Sequence, residues 1–60
     1  MNLKERRIKL GLKAVDVAKL VGVSTVSLWK YENGVYKPKY TTSKKLATLY
    51  GCTVEEILEG

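Results

Sequence analysis

The side chains on this chain that could do chemistry are cations and small hydroxyls set out for recognition, not for bond making. From Thr25 to Glu32, helical spacing puts Leu28 and Tyr31 on one side and Thr25, Val26, Trp29 and Lys30 on the other, with Ser27 at the margin. Between Gly34 and Tyr40 runs VYKPK, a loop that interleaves Tyr36, Lys37 and Lys39. Cationic and aromatic groups in this mixture suit a polyanion. An exposed Val and Trp make a poor solvent face, so something is expected to cover them. Catalysis has little to draw on: the chain has no histidine, its single cysteine, Cys52, has no base beside it, and it has neither a carboxylate pair in a cleft pattern nor a glycine-rich phosphate loop. The expectation is therefore no enzyme. It is also no metal and no cofactor, because a lone Cys without His makes no ligand cluster.

Charge carries the same message. Eleven Lys and Arg against six Asp and Glu leave +5 over 60 residues. The distribution is uneven, with Lys4, Arg6, Arg7, Lys9 and Lys13 facing only Glu5 in the first thirteen residues, and Glu55, Glu56 and Glu59 standing without a base in the last ten. A chain this short holds one domain, 1–60, with one small core, near the limit of what folds without metal or disulfide help. No apolar run reaches the roughly 18 residues of a membrane span, and MNLKERRIKLGL is too charged for a signal peptide, so a cytoplasmic, reducing setting and no membrane partner are expected.

The elements that must position these groups are helices. The spacing predicts a first helix over about Leu3 to Leu10, capped by Asn2 and stopped at Gly11, with Leu3, Arg7 and Leu10 along one side. Arg7 among leucines is either a snorkelling surface arginine or a paired, buried guanidinium. A second helix is predicted from Ala14 to Val21, where Val17, Ala18 and Val21 are apolar and Lys13 stands where a capping hydroxyl would be expected. Gly22 suits the left-handed stop, Val23 plugs the turn, and Ser24 caps a third helix, Thr25 to about Glu32, which Asn33 and Gly34 end. A fourth is predicted from about Thr41 to Tyr50, after Pro38 blocks earlier helix, and a fifth opens on the capping box Thr53-Val54-Glu55-Glu56 and buries Val54, Ile57 and Leu58. The fold class is all-α: five short helices, no strands. Lys44 and Lys45 read as solvated helix surface.

Helices two and three, joined at Gly22, have the pattern of a helix-turn-helix. Its second helix is a rod about 10–12 Å across that fits the major groove of B-DNA.

Arg7, Gly11-Leu12, Val17-Ala18, Gly22-Val23-Ser24, the run from Leu28 to Gly34 ending Tyr-Glu-Asn-Gly, Pro38, Leu46-Ala47 and Gly51 to Leu58, taken in order, resemble the phage-repressor type of helix-turn-helix domain, the Cro and lambda-repressor or Xre family. The similarity runs from Leu3 to Leu58. It implies a lambda-repressor-like DNA-binding domain, a transcription regulator, phage or prophage-like, that represses from a two-fold related operator. It further implies that Arg7 pairs with Glu32, that Thr25, Val26, Ser27 and Lys30 read base edges or touch adjacent phosphates, and that Lys13, Ala14, Asn33, Tyr36, Lys37 and Lys39 grip phosphate. Many family members have Gln where this chain has Ala14, which offers only its backbone N–H, and a small polar residue where this chain has Trp29. Packing across the second helix or the loop is one expectation for Trp29, contact with the DNA backbone or a partner the other.

The resemblance implies double-stranded DNA as partner, a weak homodimer assembled on the operator, and no small-molecule ligand. The pairing surface would lie around Tyr50, Cys52, Val54 and Leu58. The competing reading is a protein-interaction module of the same fold, antitoxin-like or a regulator's partner, that docks through Trp29, Val35, Tyr36 and Tyr40.

Overall fold

The computed structural model describes residues 2–59. Its helices are α1 Leu3–Lys9, α2 Ala14–Val21, α3 Thr25–Glu32, α4 Tyr40–Tyr50 and α5 Val54–Glu59, with no strand among the described residues. α2 packs on α3 and on α4, α1 packs on α3, and α5 closes against α4.

Local chemistry sets most helix ends. Asn2 Oδ1 accepts the Glu5 amide at 3.0 Å, and Ser24 Oγ accepts the Ser27 amide at 3.0 Å, so α1 and α3 start on side-chain caps. α5 starts on a reciprocal box, in which Thr53 Oγ1 accepts the Glu56 amide and Glu56 Oε1 accepts the Thr53 amide, both at 3.2 Å. α2 has no such help, because Lys13 is extended and makes no side-chain cap. Gly22 ends α2 at φ +75°, a conformation that strains any residue with a Cβ, and the Val23 amide then reaches back to the Ala18 carbonyl at 2.9 Å.

The core is Leu3, Val17, Ala18, Val21, Leu28, Leu46, Ala47, Tyr50 and Ile57. Ala18 is small at the α2–α3 approach, which lets α3 lie close across α2 while Leu28 disappears from solvent. Several expectations are corrected. α1 stops at Lys9, with Leu10 as its cap residue and half exposed, because the turn to Gly11 swings Leu10 off the buried side. α4 starts one residue early, at Tyr40, because Lys39 is extended behind Pro38 and its carbonyl already accepts the Ser43 amide at 2.8 Å. In α5 only Ile57 is fully buried; Val54 and Leu58 stay partly exposed, since six residues present little more than one side chain squarely to α4. Tyr50 is 3% exposed and so offers no side chain to a pairing surface.

Candidate nucleic-acid interface

α3 is fixed from behind by a charge. Arg7 on α1 donates from Nε to Glu32 Oε2 at 2.7 Å and from Nη2 to Glu32 Oε1 at 3.5 Å, and it donates from Nη1 to the Leu12 carbonyl at 3.0 Å. The Arg7 and Glu32 side chains retain only 11% and 2% of their exposure. One guanidinium therefore ties the end of α1, the turn into α2 and the last residue of α3. Its hydrogen bond to the carboxylate raises the Arg7 pKa further above its usual value, against the opposing effect of burial. The Tyr50 hydroxyl is buried with no hydrogen-bond partner; burial, and after it the Glu32 charge, push its pKa up to about 12.

With the inner face so held, the opposite face of α3 is left to solvent. Val26 and Lys30 are exposed, and Thr25 is partly buried. Ser27 is partly buried as well, and its hydroxyl accepts from Ser24 Oγ at 3.0 Å, so it is drawn into the cap. Trp29 remains 53% exposed, beside Val26 at 55%.

The flanking residues divide similarly. At the start of α2, Lys13 is exposed and Ala14 partly buried; the Asp16 amide already donates to the Lys13 carbonyl at 3.1 Å, while the first amides of a helix have no acceptor within it. A helix start with free amides favours an anion. Asn33 is exposed, but its Nδ2 donates to the Trp29 carbonyl at 2.8 Å, which leaves one of its two amide protons for anything else. Tyr36, Lys37 and Lys39 are all exposed.

Three contacts escaped sequence reasoning. Tyr36 meets Tyr31 edge-on, with ring centroids 5.3 Å apart and planes at 81°, and the Lys30 ammonium stands 5.7 Å from the Tyr36 ring centroid. Pro38, read from sequence only as a helix block, is buried, and Ser43, 0% exposed, donates from Oγ to its carbonyl at 3.4 Å. The signal for the first was present: two tyrosines five apart across a turn that Asn33 and Gly34 reverse. A serine gives no such notice of burial.

Among the described residues no cluster of His, Cys, Asp and Glu could hold a metal ion, and no helix is long and apolar enough to cross a membrane. What this surface offers is a rod with apolar and cationic side chains, flanked by a basic aromatic loop and a helix start.

The chain is similar in sequence to known proteins. The family model described as helix-turn-helix matches residues 3–57. The HTH-type transcriptional regulator DdrOP3 of Deinococcus deserti is 38% identical over 97% of this chain and 45% of its own length. The cryptic phage CTXphi transcriptional repressor RstR of Vibrio cholerae is 32% identical over 93% of this chain and 50% of its own. A glutamine–fructose-6-phosphate aminotransferase of Methanocaldococcus jannaschii is 42% identical over 93% of this chain, but that stretch is 5% of the enzyme and carries nothing about its reaction. The chain thus spans half or less of the length of these relatives.

Proposed function

We propose that this chain, which belongs to the helix-turn-helix family of the Cro, lambda-repressor and Xre type, binds double-stranded DNA by laying α3 in the major groove and represses transcription from a two-fold related operator. The observation that carries this reading is the exposed face of α3, where Val26 and Lys30 stand clear of the core on a helix braced from behind by Arg7. Thr25, Val26, Ser27 and Lys30 are the proposed readers. Lysine can donate to guanine O6 and N7, threonine to several base edges, and valine packs only against a thymine methyl. Lys13, the Ala14 amide, Asn33, Tyr36, Lys37 and Lys39 are the proposed phosphate contacts, which set register and most of the affinity but carry no sequence information. One short helix touches few base pairs, so a second copy on the next half-site, about 34 Å along the same face, supplies the remaining discrimination. Cys52, Val54 and Leu58, partly exposed at the α4–α5 end, are the proposed contact between copies. The proposed setting is the cytoplasm, and no small-molecule ligand is part of the reading.

Exposure of Trp29, Val35, Tyr36 and Tyr40, each at least 44%, favours one second reading, a protein-docking module of the same fold. Selection of bound duplexes from random DNA at two salt concentrations separates the two. A symmetric enriched motif is expected. Binding that rises only with lower salt, with no enriched motif, would remove the sequence-reading role, and no binding at any salt would favour the docking module.

A further inference from the structure

A lysine on an exposed helix face brings charge without direction, because its four-carbon stem has many rotamers. Lys30 is exposed, yet its ammonium sits over the Tyr36 ring at 5.7 Å from the centroid, within the roughly 6 Å at which the ring's electron-rich face attracts a cation. The ring is itself fixed. It packs edge-on against Tyr31, in the preferred geometry for an aromatic pair, and it belongs to a loop held at both ends. At one end the Val35 amide donates to the Lys30 carbonyl at 2.9 Å and the Asn33 side chain donates to the Trp29 carbonyl at 2.8 Å. At the other, Pro38 is buried and Ser43 Oγ donates to its carbonyl at 3.4 Å. A loop tied at both ends sets where the ring stands, and the ring sets where the lysine stands.

We propose that Tyr36 is a positioning residue for base reading: the ring it holds against Tyr31 aims the Lys30 ammonium, so that the loop flanking α3 sets the sequence preference of α3 as well as gripping phosphate. This rests on the reading of Lys30 as a base contact. It gives Tyr36 a role separate from any phosphate contact by its hydroxyl. The two roles use different parts of the residue, since aiming needs the ring and the phosphate contact needs the O–H. It also couples the two halves of the interface, because a loop displaced from its phosphates would release the lysine that reads.

The test uses the full chain, the duplex that it enriches from random DNA, and the same duplex altered at the base pair to which Lys30→Ala becomes indifferent. The readout is the ratio of the two affinities at fixed salt. Tyr36→Phe is expected to keep that ratio, and Tyr36→Leu to lower it about two- to fivefold, the range of an exposed cation–ring contact, with no further loss when Lys30→Ala is already present. The salt slope is expected to stay the same in Tyr36→Leu, whereas removal of a charged phosphate grip would make it shallower. Equal loss of the ratio in Tyr36→Phe and Tyr36→Leu, or a Tyr36→Leu effect that survives in the Lys30→Ala background, overturns the positioning role while DNA binding stands. A ratio that rises in Tyr36→Leu also overturns it, since the ring would then be holding the lysine away from the bases. Proton spectra of the free protein add a readout independent of DNA. The Lys30 ε-methylene is expected upfield of ordinary lysine from the ring current, and to return to the ordinary position in Tyr36→Leu; an ordinary shift in the unaltered chain overturns the proposal. If the unaltered chain binds no DNA, the functional reading fails by itself and the spectra still decide whether Tyr36 holds Lys30.

Discussion

On the inner side of α3, Leu28 has no exposed surface and the Glu32 side chain keeps 2% of its own, while on the outer side of the same eight-residue helix Val26 and Trp29 keep 55% and 53%. The usual sorting of residues is thus broken twice within two turns: a carboxylate is inside and an indole outside. Each exception has its own physics. The carboxylate can be buried because Arg7 meets it at 2.7 Å, and the guanidinium can be buried because the Leu12 carbonyl takes one of its remaining protons. The indole and the valine are covered by no such partner among the described residues. Local rules give way at strained or functional places, and this helix gives way inward where an ion pair compensates.

The sharpest break of that comparison is on the inner side. Arg7→Ala leaves Glu32 buried without its cation, and Glu32→Ala leaves Arg7 without its anion, so each should destabilise the fold by about 3 kcal/mol in urea unfolding. For a domain of 60 residues that is a large share of the total. A change under about 1 kcal/mol for both would mean that water reaches the pair and that the inner face is not held by it.

Tyr50 allows a finer cut at the same place. Its pKa lies near 12 in the fold against 10.0 unperturbed, a raised value, so its titration leaves stability untouched below about pH 10 and lowers it as pH climbs from 10 through 12, because the unfolded chain ionises first. That difference corresponds to about 3 kcal/mol at most. Unfolding free energies followed from pH 9 to 12 should fall, and Tyr50→Phe should flatten much of the fall. At neutral pH the same substitution removes a buried hydroxyl that has no partner, and is expected to be neutral or to stabilise by about 1 kcal/mol. Marked destabilisation at neutral pH would mean that the hydroxyl supports the Arg7–Glu32 pair after all.

How far these features are legible in the sequence follows from how local their causes are. The α2–α3 turn is legible because Gly22 and Ser24 act on their immediate neighbours, one by tolerating a positive φ and the other by a bond three residues on. Arg7 is legible as an exception, a charge among leucines, but the residues alone leave both a snorkelling and a buried arginine open, since its partner lies 25 residues away. The start of α4 differs by one residue because the deciding bond goes to the backbone carbonyl of Lys39 and not to a side chain. Ser43 and Pro38 give no sign of burial, because their pairing across the α3–α4 loop depends on where the whole loop lands. Tyr50, assigned to a pairing surface by the family resemblance, is core, since α4 presents it to the same side as Leu46 and Ala47. For the outer side, exposure is what structure adds: it separates Val26 and Lys30, which stand clear, from Ser27, which the Ser24 cap engages.

On that outer side, substitutions should move binding and leave folding alone. Lys37→Ala and Lys39→Ala are expected to weaken binding to enriched and random duplexes alike and to reduce the slope of log affinity against log salt by about 0.9 for each phosphate that is no longer neutralised. Lys30→Ala is expected to change which base is preferred at one position in each half-site. Equal weakening on all duplexes in Lys30→Ala would place Lys30 with the loop lysines and leave Thr25, Val26 and Ser27 as the readers.

The smallest effect expected is also the one that tests why an indole is left outside. Trp29→Ala and Val26→Ala remove side chains more than half in water, so both should shift unfolding free energy by no more than about 0.5 kcal/mol, against the roughly 3 kcal/mol at Arg7 on the other side. A shift above about 1 kcal/mol in Trp29→Ala would show that the indole packs on the fold despite its exposure, and the contrast between the two sides of α3 would shrink. With folding unaffected, the remaining reason for an exposed apolar pair is a partner that covers it. Trp29 is the only tryptophan, so its fluorescence reports on its own surroundings. If DNA is the cover, the emission should change on addition of the enriched duplex and saturate at the stoichiometry of binding. An emission that stays as in water while the duplex binds would leave the indole outside the DNA interface, and the cover would then have to be a protein.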